Sequence, residues 1–284
     1  MSTASTASTA STASTASTAS TVSHTLSDSA TMLRRNLKRM MRYPSMTLML
    51  IGMPIVFLLL FVYVFGGTLG AGLGGVSGGS GGRAQYVNYV TPAIILMTIT
   101  AAVQGTTISI AMDMTEGIVD RFRTMAIARV SVLTGHVIGS LIQTMLSIAA
   151  VIGVALLIGF RPSAGPGDWL ALIGVLVMMA FAFIWLSVAF GLASKTVESS
   201  SNVGMPLLLL PFLGSGFVPT DSMPTVLRWF AEYQPFTPLI ETLRGLLMGT
   251  PIGNNAVIAV GWCVVIALGG YLWSKRLFNR ESTR

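Results

Sequence analysis

Charge is what this sequence has least of. Only 10% of its 284 residues are Asp, Glu, Lys or Arg, against about 25% in an ordinary soluble domain. With 52% hydrophobic residues and a mean hydropathy of +0.74, the deficit excludes a water-soluble enzyme and points to a chain that lives in lipid. Lysine is scarcer still: Lys38, Lys195 and Lys275 follow Leu37, Ser194 and Ser274. No Gly-Lys pair exists, so a phosphate-cradling G-x-x-x-x-G-K-[ST] loop is excluded. His24 and His136 lie far apart and no acidic cluster stands at ligand spacing, which leaves no metal constellation. The single Cys263 forbids an intrachain disulfide and leaves the redox compartment unread. The run GVSGG at Gly75–Gly79 has no strand before it and is no nucleophile elbow.

What is present is apolar length. About 20 apolar residues cross a bilayer as helix, because backbone polar groups in hydrocarbon must be satisfied within the segment. Six runs qualify, at about 45–67, 89–112, 132–159, 168–194, 203–218 and 256–274. The fifth is short and holds Pro206 and Pro211. Ahead of them, STA repeats six times from Ser2 to Ala19; without apolar face or charge it cannot offset the entropy of ordering. Residues 1–30 are expected to be a disordered tail rather than a secretory signal, and residues 31–284 to form the membrane domain.

Orientation follows from Lys and Arg. Thirteen fall on the side of the N-terminal segment, the second and fourth loops and the tail; four, Arg83, Arg161, Arg228 and Arg244, fall on the other. Basic short loops stay cytoplasmic, so both termini are expected inside. The net charge of +7 then belongs to this asymmetry and to anionic lipid, not to nucleic acid.

TMLRRNLKRMMRY, Thr31 to Tyr43, puts Met32, Leu33, Leu37 and Met40 opposite five basic residues, the pattern of an amphipathic interfacial helix on the membrane surface. The Gly-rich stretch after the first span reads as a flexible tether. In the second span Thr100, Gln104 and Thr107 form one stripe at i, i+4, i+7. Gln143 sits in the third. Amides in a membrane go where they find partners, between helices or on a wet path, and both readings stand for these residues. EGIVDRFRTM, Glu116 to Met125, gathers Ile118, Val119, Phe122 and Met125 against Glu116, Asp120 and Arg123. It predicts a short cytoplasmic helix wedged into its own spans or into a partner's groove. Between spans five and six, the sequence predicts helices over Pro224–Tyr233 and Pro238–Met248, with Thr237 as N-cap and Gly249 as stop. Arg228, Glu232, Glu241 and Arg244 can pair within them. Together they form a re-entrant helical hairpin in the outer leaflet, tolerated where it is buried in protein or lines a cavity.

These residues resemble the permease subunits of type-2 ABC exporters, and among them the daunorubicin-resistance, multidrug efflux group. The resemblance runs from about Leu33 to Phe278. It is carried by RRNLKRMMRYP, by EGIVDRFRTMAIARVSVLTGH, and most specifically by GSGFVPTDSMPTVLRWFAEYQPFTPLIETLRGLLMG. The family pattern has Pro at the position of Ala126 and usually a basic residue at that of His136. The resemblance implies an all-α membrane protein of six transmembrane helices, working as two permeases with two ATPases. It places an ATPase-coupling helix on Glu116, Gly117, Asp120, Arg121, Phe122 and Arg123. ATP and magnesium would bind the partner ABC ATPase and no cofactor would bind this chain; the partners are that ATPase, membrane lipid and a hydrophobic or amphipathic small molecule. The chain itself is then no enzyme. Thr100, Gln104, Thr107 and Gln143 are the candidate substrate path. Lipid or polysaccharide export competes with drug efflux. An ion-coupled secondary transporter would show inverted repeats and mid-membrane charges; no such repeat is found, and Asp113 lies at a span end.

Overall fold

The structure, a computed structural model, describes residues 44–77, 82–115, 129–194 and 196–281, with side chains over 50–73, 82–115, 136–194 and 196–277. The STA tail, the expected interfacial helix and the whole of 116–128 lie outside the described residues. Within them the chain is helical, and five helices are long and apolar enough to cross a membrane.

The first crossing is composite. α1 (Pro44–Leu60) passes through one π-helical turn, Phe61–Phe65, into α2 (Gly66–Ser77). α2 corrects an expectation: the Gly-rich stretch is helix as far as Ser77, not tether. Each glycine costs a helix about 1 kcal/mol against alanine, but lipid leaves the backbone no other way to satisfy its bonds. Glycine is also needed here for close approach, since a Cβ on Gly70 would lie 2.3 Å from the Gly82 carbonyl oxygen. Arg83 opens the next helix with its guanidinium 5.1 Å from the centre of the Tyr63 ring.

That helix, α3 (Arg83–Thr115), is the pillar of the fold. Its 33 residues rise about 50 Å at 1.5 Å each. Its most apolar window is 72% buried, against 22% for the first crossing and 17% for the last. From Val90 to Thr100 every side chain is buried, so the helix is hydrophobic all round, as a central helix must be. α4 (Arg129–Leu157) and α5 (Pro166–Ala193) pack on it, and α10 (Asn255–Glu281) packs on α5. Trp185 meets Tyr271 at 5.1 Å and Phe190 meets Trp273 at 5.8 Å, both edge to face.

The expected fifth span over 203–218 is not one helix. α6 (Val197–Val203), α7 (Met205–Leu209) and a 3-10 turn (Leu210–Leu213) follow one another, with Pro206 and Pro211 at the joints where proline removes a backbone donor. The broken segment nevertheless climbs α3. A Cβ on Gly204 would lie 3.5 Å from Gln104, the Ser215 carbonyl accepts from the Tyr89 hydroxyl at 2.8 Å, and the Phe217 carbonyl accepts from Tyr86 at 3.3 Å. From residue 104 to 86 along α3 is about 27 Å, close to the roughly 30 Å of hydrocarbon in a bilayer. Phe217 ends the climb against Phe61 of the π turn at 4.4 Å and Phe212 at 4.5 Å.

A 3-10 turn (Thr220–Ser222) leads into the two arms of a hairpin, α8 (Thr225–Tyr233) and α9 (Phe236–Met248). α9 starts two residues earlier than the sequence suggests, with Pro235 rather than Thr237 at its cap. Thr237 is used instead as a tie: its hydroxyl donates to the Ala231 carbonyl at 2.5 Å and accepts from the Ser215 amide at 3.3 Å. Gly249 stops α9 with φ 63°, the left-handed conformation that glycine adopts without strain.

Candidate functional site

Three groups of polar side chains interrupt the apolar interior. The first is the stripe on α3. Thr100 and Thr107 are fully buried and turn their hydroxyls back onto their own helix, to the Met97 carbonyl at 2.9 Å and the Val103 carbonyl at 2.8 Å. Thr107 also reaches the Ser187 carbonyl of α5 at 3.3 Å. Gln104, partly buried, donates to the Ser201 carbonyl of α6 at 3.2 Å. Within one chain the stripe therefore ties α3 to α5 and to the broken fifth segment. Among the described residues no hydrogen bond joins Gln143 to it. One polar tie between α3 and α4 is made instead by Thr106 and Ser140, at 3.0 Å.

The second group sits where the broken segment meets α9. The Arg244 guanidinium lies over the Tyr89 ring, 3.9 Å from its centre. It pairs with Glu241 one turn back on the same helix and donates to the carbonyls of Ser215 at 2.9 Å and Tyr89 at 3.2 Å. A charge drawn in this far needs such partners to offset its desolvation. The same knot holds unsatisfied atoms: the Ser215 hydroxyl, both amide atoms of Gln234 and the Arg244 Nε are buried with no hydrogen-bond partner among the described residues. The other hairpin pair is of a different kind. Arg228 bonds Glu232 at 2.7 Å and Asp221 at 2.9 Å with all three side chains exposed. The hydrogen bond to Glu232, then the charge of Asp221, raises the Arg228 pKa above its ordinary value.

The third group is at the opposite end. Asp113, near the end of α3, and His136, early in α4, meet at 3.0 Å with side chains 5% and 11% exposed. The two helices they join bracket residues 116–128. Glu116, Gly117, Asp120, Arg121, Phe122 and Arg123 themselves lie outside the described residues. Tyr89 and the Asp113–His136 pair were missed as sites from sequence; an aspartate ending one span and a histidine opening the next was the available signal.

The described residues form a multi-pass helical bundle with polar ties between its helices, a charged hairpin at one end and the Asp113–His136 pair at the other, the build of a membrane component. Comparison with known proteins gives the family: the pattern described as ABC-2 type transporter matches residues 29–248, and the chain belongs to that family. It is 25% identical over 250 residues to a daunorubicin resistance ABC transporter permease protein of Streptomyces coeruleorubidus, covering 85% of this chain and 84% of that one. It is 25% identical over 180 residues to a probable doxorubicin resistance ABC transporter permease protein of Mycobacterium tuberculosis, covering 61% of this chain and 65% of the relative. A nodulation protein J of Rhizobium leguminosarum bv. trifolii is 23% identical over 231 residues, 78% of this chain and 84% of that protein. The family is one of membrane subunits that associate with an ABC ATPase subunit.

Proposed function

We propose that this chain is the permease subunit of an exporter that moves drug-like or amphipathic molecules out of the cell, driven by ATP hydrolysed on a separate ABC ATPase. The observation that carries this reading is the match to the daunorubicin resistance permease over 85% of the chain. The absence of any Gly-Lys pair agrees with nucleotide and magnesium being held by the partner. Two permeases work with two ATPases, both termini face the cytoplasm, and the chain crosses six times, the fifth by the broken segment that climbs α3.

In this reading Glu116, Gly117, Asp120, Arg121, Phe122 and Arg123 dock in the ATPase. The Asp113–His136 pair fastens together the two helices on either side of them, so a push on the loop moves α3 and α4 as one body. α3 is buried on nearly every side and passes that motion to the rest of the bundle, switching the cavity between inward and outward access. Thr100, Gln104, Thr107 and Gln143 line the substrate path once helices separate. Phe122→Ala and Arg123→Ala are expected to reduce co-purification with the ATPase and its stimulation while membrane insertion stays normal. Full retention of both would refute the docking role. Vanadate-insensitive export that a protonophore abolishes would refute ATP coupling, and export of lipid or polysaccharide in place of amphipathic drugs would move the substrate class.

A further inference from the structure

A short strap, residues 214–219, joins the last turn of the broken fifth segment to the hairpin, and Gly214, Ser215, Gly216 and Phe217 within it are buried. Side chains from two helices hold its backbone. The Ser215 carbonyl accepts from Tyr89 at 2.8 Å and from Arg244 at 2.9 Å, and the Phe217 carbonyl accepts from Tyr86 at 3.3 Å. The Ser215 amide donates to the Thr237 hydroxyl at 3.3 Å. The two tyrosines stand on α3, and Thr237 and Arg244 on α9. Any movement of the fifth segment relative to the hairpin therefore passes through this strap.

Beside it lie polar atoms that the described arrangement does not use. Gln234 is 6% and Ser215 4% exposed, yet both amide atoms of Gln234, the Ser215 hydroxyl and the Arg244 Nε have no hydrogen-bond partner among the described residues. An apolar side chain of the same size would fill the place of Gln234 without that cost, so the stability of this arrangement does not explain the amide. Its position does. A Cβ on Gly214 would lie 2.9 Å from Gln234 Nε2 and 3.0 Å from the Thr237 hydroxyl, so the hydroxyl in use and the amide in reserve flank the strap at one point. The Ser215–Thr237 bond is long for an N–H···O contact, and the same hydroxyl is already committed to the Ala231 carbonyl. Gln234 carries a carbonyl oxygen suited to the Ser215 amide and an NH2 suited to a strap carbonyl. Glycine at 214 and 216 leaves no side chain on either side of Ser215 to obstruct the exchange.

We propose that the strap has two arrangements: the one described, in which Thr237 holds the Ser215 amide, and a second in which Gln234 takes it over. The fifth segment passes from one to the other as the permease changes access. Gln234 is then a positioning residue of the transport cycle, unpaired in one state because its partner is supplied in the other. The two arrangements belong to the chain itself; only their use in export rests on the function proposed above.

The test uses the full chain in phosphatidylcholine nanodiscs, in a Cys263→Ala background. Val218→Cys, at the half-buried end of the strap, carries a trifluoromethyl probe read by fluorine NMR without ATPase or nucleotide. Two resonances are expected, or one averaged line. Gln234→Leu and Thr237→Val should shift the populations, or the averaged line, in opposite directions, each by several-fold in the ratio of the two states. Thr237→Ser should restore the parent spectrum. The thermal midpoint of Gln234→Leu is expected to be no lower than that of the parent, while efflux of the amphipathic dye ethidium from cells carrying both subunits falls several-fold. Shifts in the same direction, or a spectrum that neither substitution moves, would overturn the two arrangements. So would a lowered midpoint for Gln234→Leu, the result expected if the amide were already tied in the described state. Efflux by Gln234→Leu equal to that of the parent would overturn the role in transport. Should the parent itself show no ATP-driven efflux, the proposed function fails and the fluorine spectrum still decides the strap.

Discussion

The two arms of the hairpin are neighbours in sequence, and each carries one Arg–Glu pair at helical spacing, yet they live in different surroundings. In α9, Phe236, Leu239, Ile240, Leu243 and Leu247 are all at most 1% exposed, and Arg244 is drawn inward to Tyr89 and Ser215. In α8 only Ala231 is buried, and Arg228 stays at the surface. The comparison teaches that an i, i+4 or i, i+3 charge pair says two residues can meet, and nothing about how deep they lie. Depth is set by the rest of the helix. α9 gathers Phe236, Leu239, Ile240, Leu243, Leu246 and Leu247 on one buried face, whereas α8 buries Ala231 alone.

The contrast can be broken most forcefully at Arg244. Arg244→Ala leaves the part-buried Glu241 and two carbonyls without their partner, and loss of a hydrogen bond to a charged group costs about 1.5–3 kcal/mol. We expect a large fall in the thermal midpoint of the detergent-solubilised chain; an unchanged midpoint would mean that the knot is solvated after all. Arg244→Lys should recover only part of the loss, because a point charge cannot serve two carbonyls and a carboxylate at once. Tyr89→Phe removes one hydrogen bond and keeps the ring under the guanidinium, for about 1 kcal/mol. Combined with Arg244→Lys it should cost less than the sum of the two. Strict additivity would show that they act separately.

Gln234→Leu sharpens the comparison from the other direction. Replacing a buried amide with no partner by an apolar side chain of similar size should be neutral or stabilising by up to about 1 kcal/mol. A clear loss of stability would reveal a bond that Gln234 makes in the assembled transporter. The smallest effect is expected at the exposed pair: Arg228→Ala or Glu232→Ala should change stability by no more than about 0.5 kcal/mol, and less at high salt. A midpoint shift equal to that of Arg244→Ala would erase the distinction between the arms.

The long apolar helices were legible because membrane length and hydropathy are properties of a local window, as in Arg83–Thr115 or Pro166–Ala193. The helix Gly66–Ser77 was not, because its many glycines speak against helix in water, while the decisive terms are the dielectric of lipid and the close passage of Gly70 beside Gly82. Pro206 and Pro211 did announce the breaks in the fifth segment; what they could not announce is that its pieces still follow α3 from Gln104 to Tyr86. Thr237 had the right residue type for a cap, but its hydroxyl is claimed by Ala231 and Ser215, partners 6 and 22 residues away. Of the candidate site, the charge pairs of the hairpin were readable as pairs. Tyr89 was not readable at all, because its role depends on a cation 155 residues further along.

The π turn at Phe61–Phe65 has a consequence for the angular register of the first crossing. Pro54, Leu58, Val62, Gly66 and Gly70 are buried, a strict four-residue repeat. At 3.6 residues per turn each such step would precess by about 40°, carrying the contact stripe almost to the opposite side over this stretch. One widened turn absorbs an additional residue and takes back much of that precession. Gly70 thereby arrives facing Gly82, and removing any single residue between 61 and 65 would swing the Gly70 end of this crossing away from the pillar it rests on.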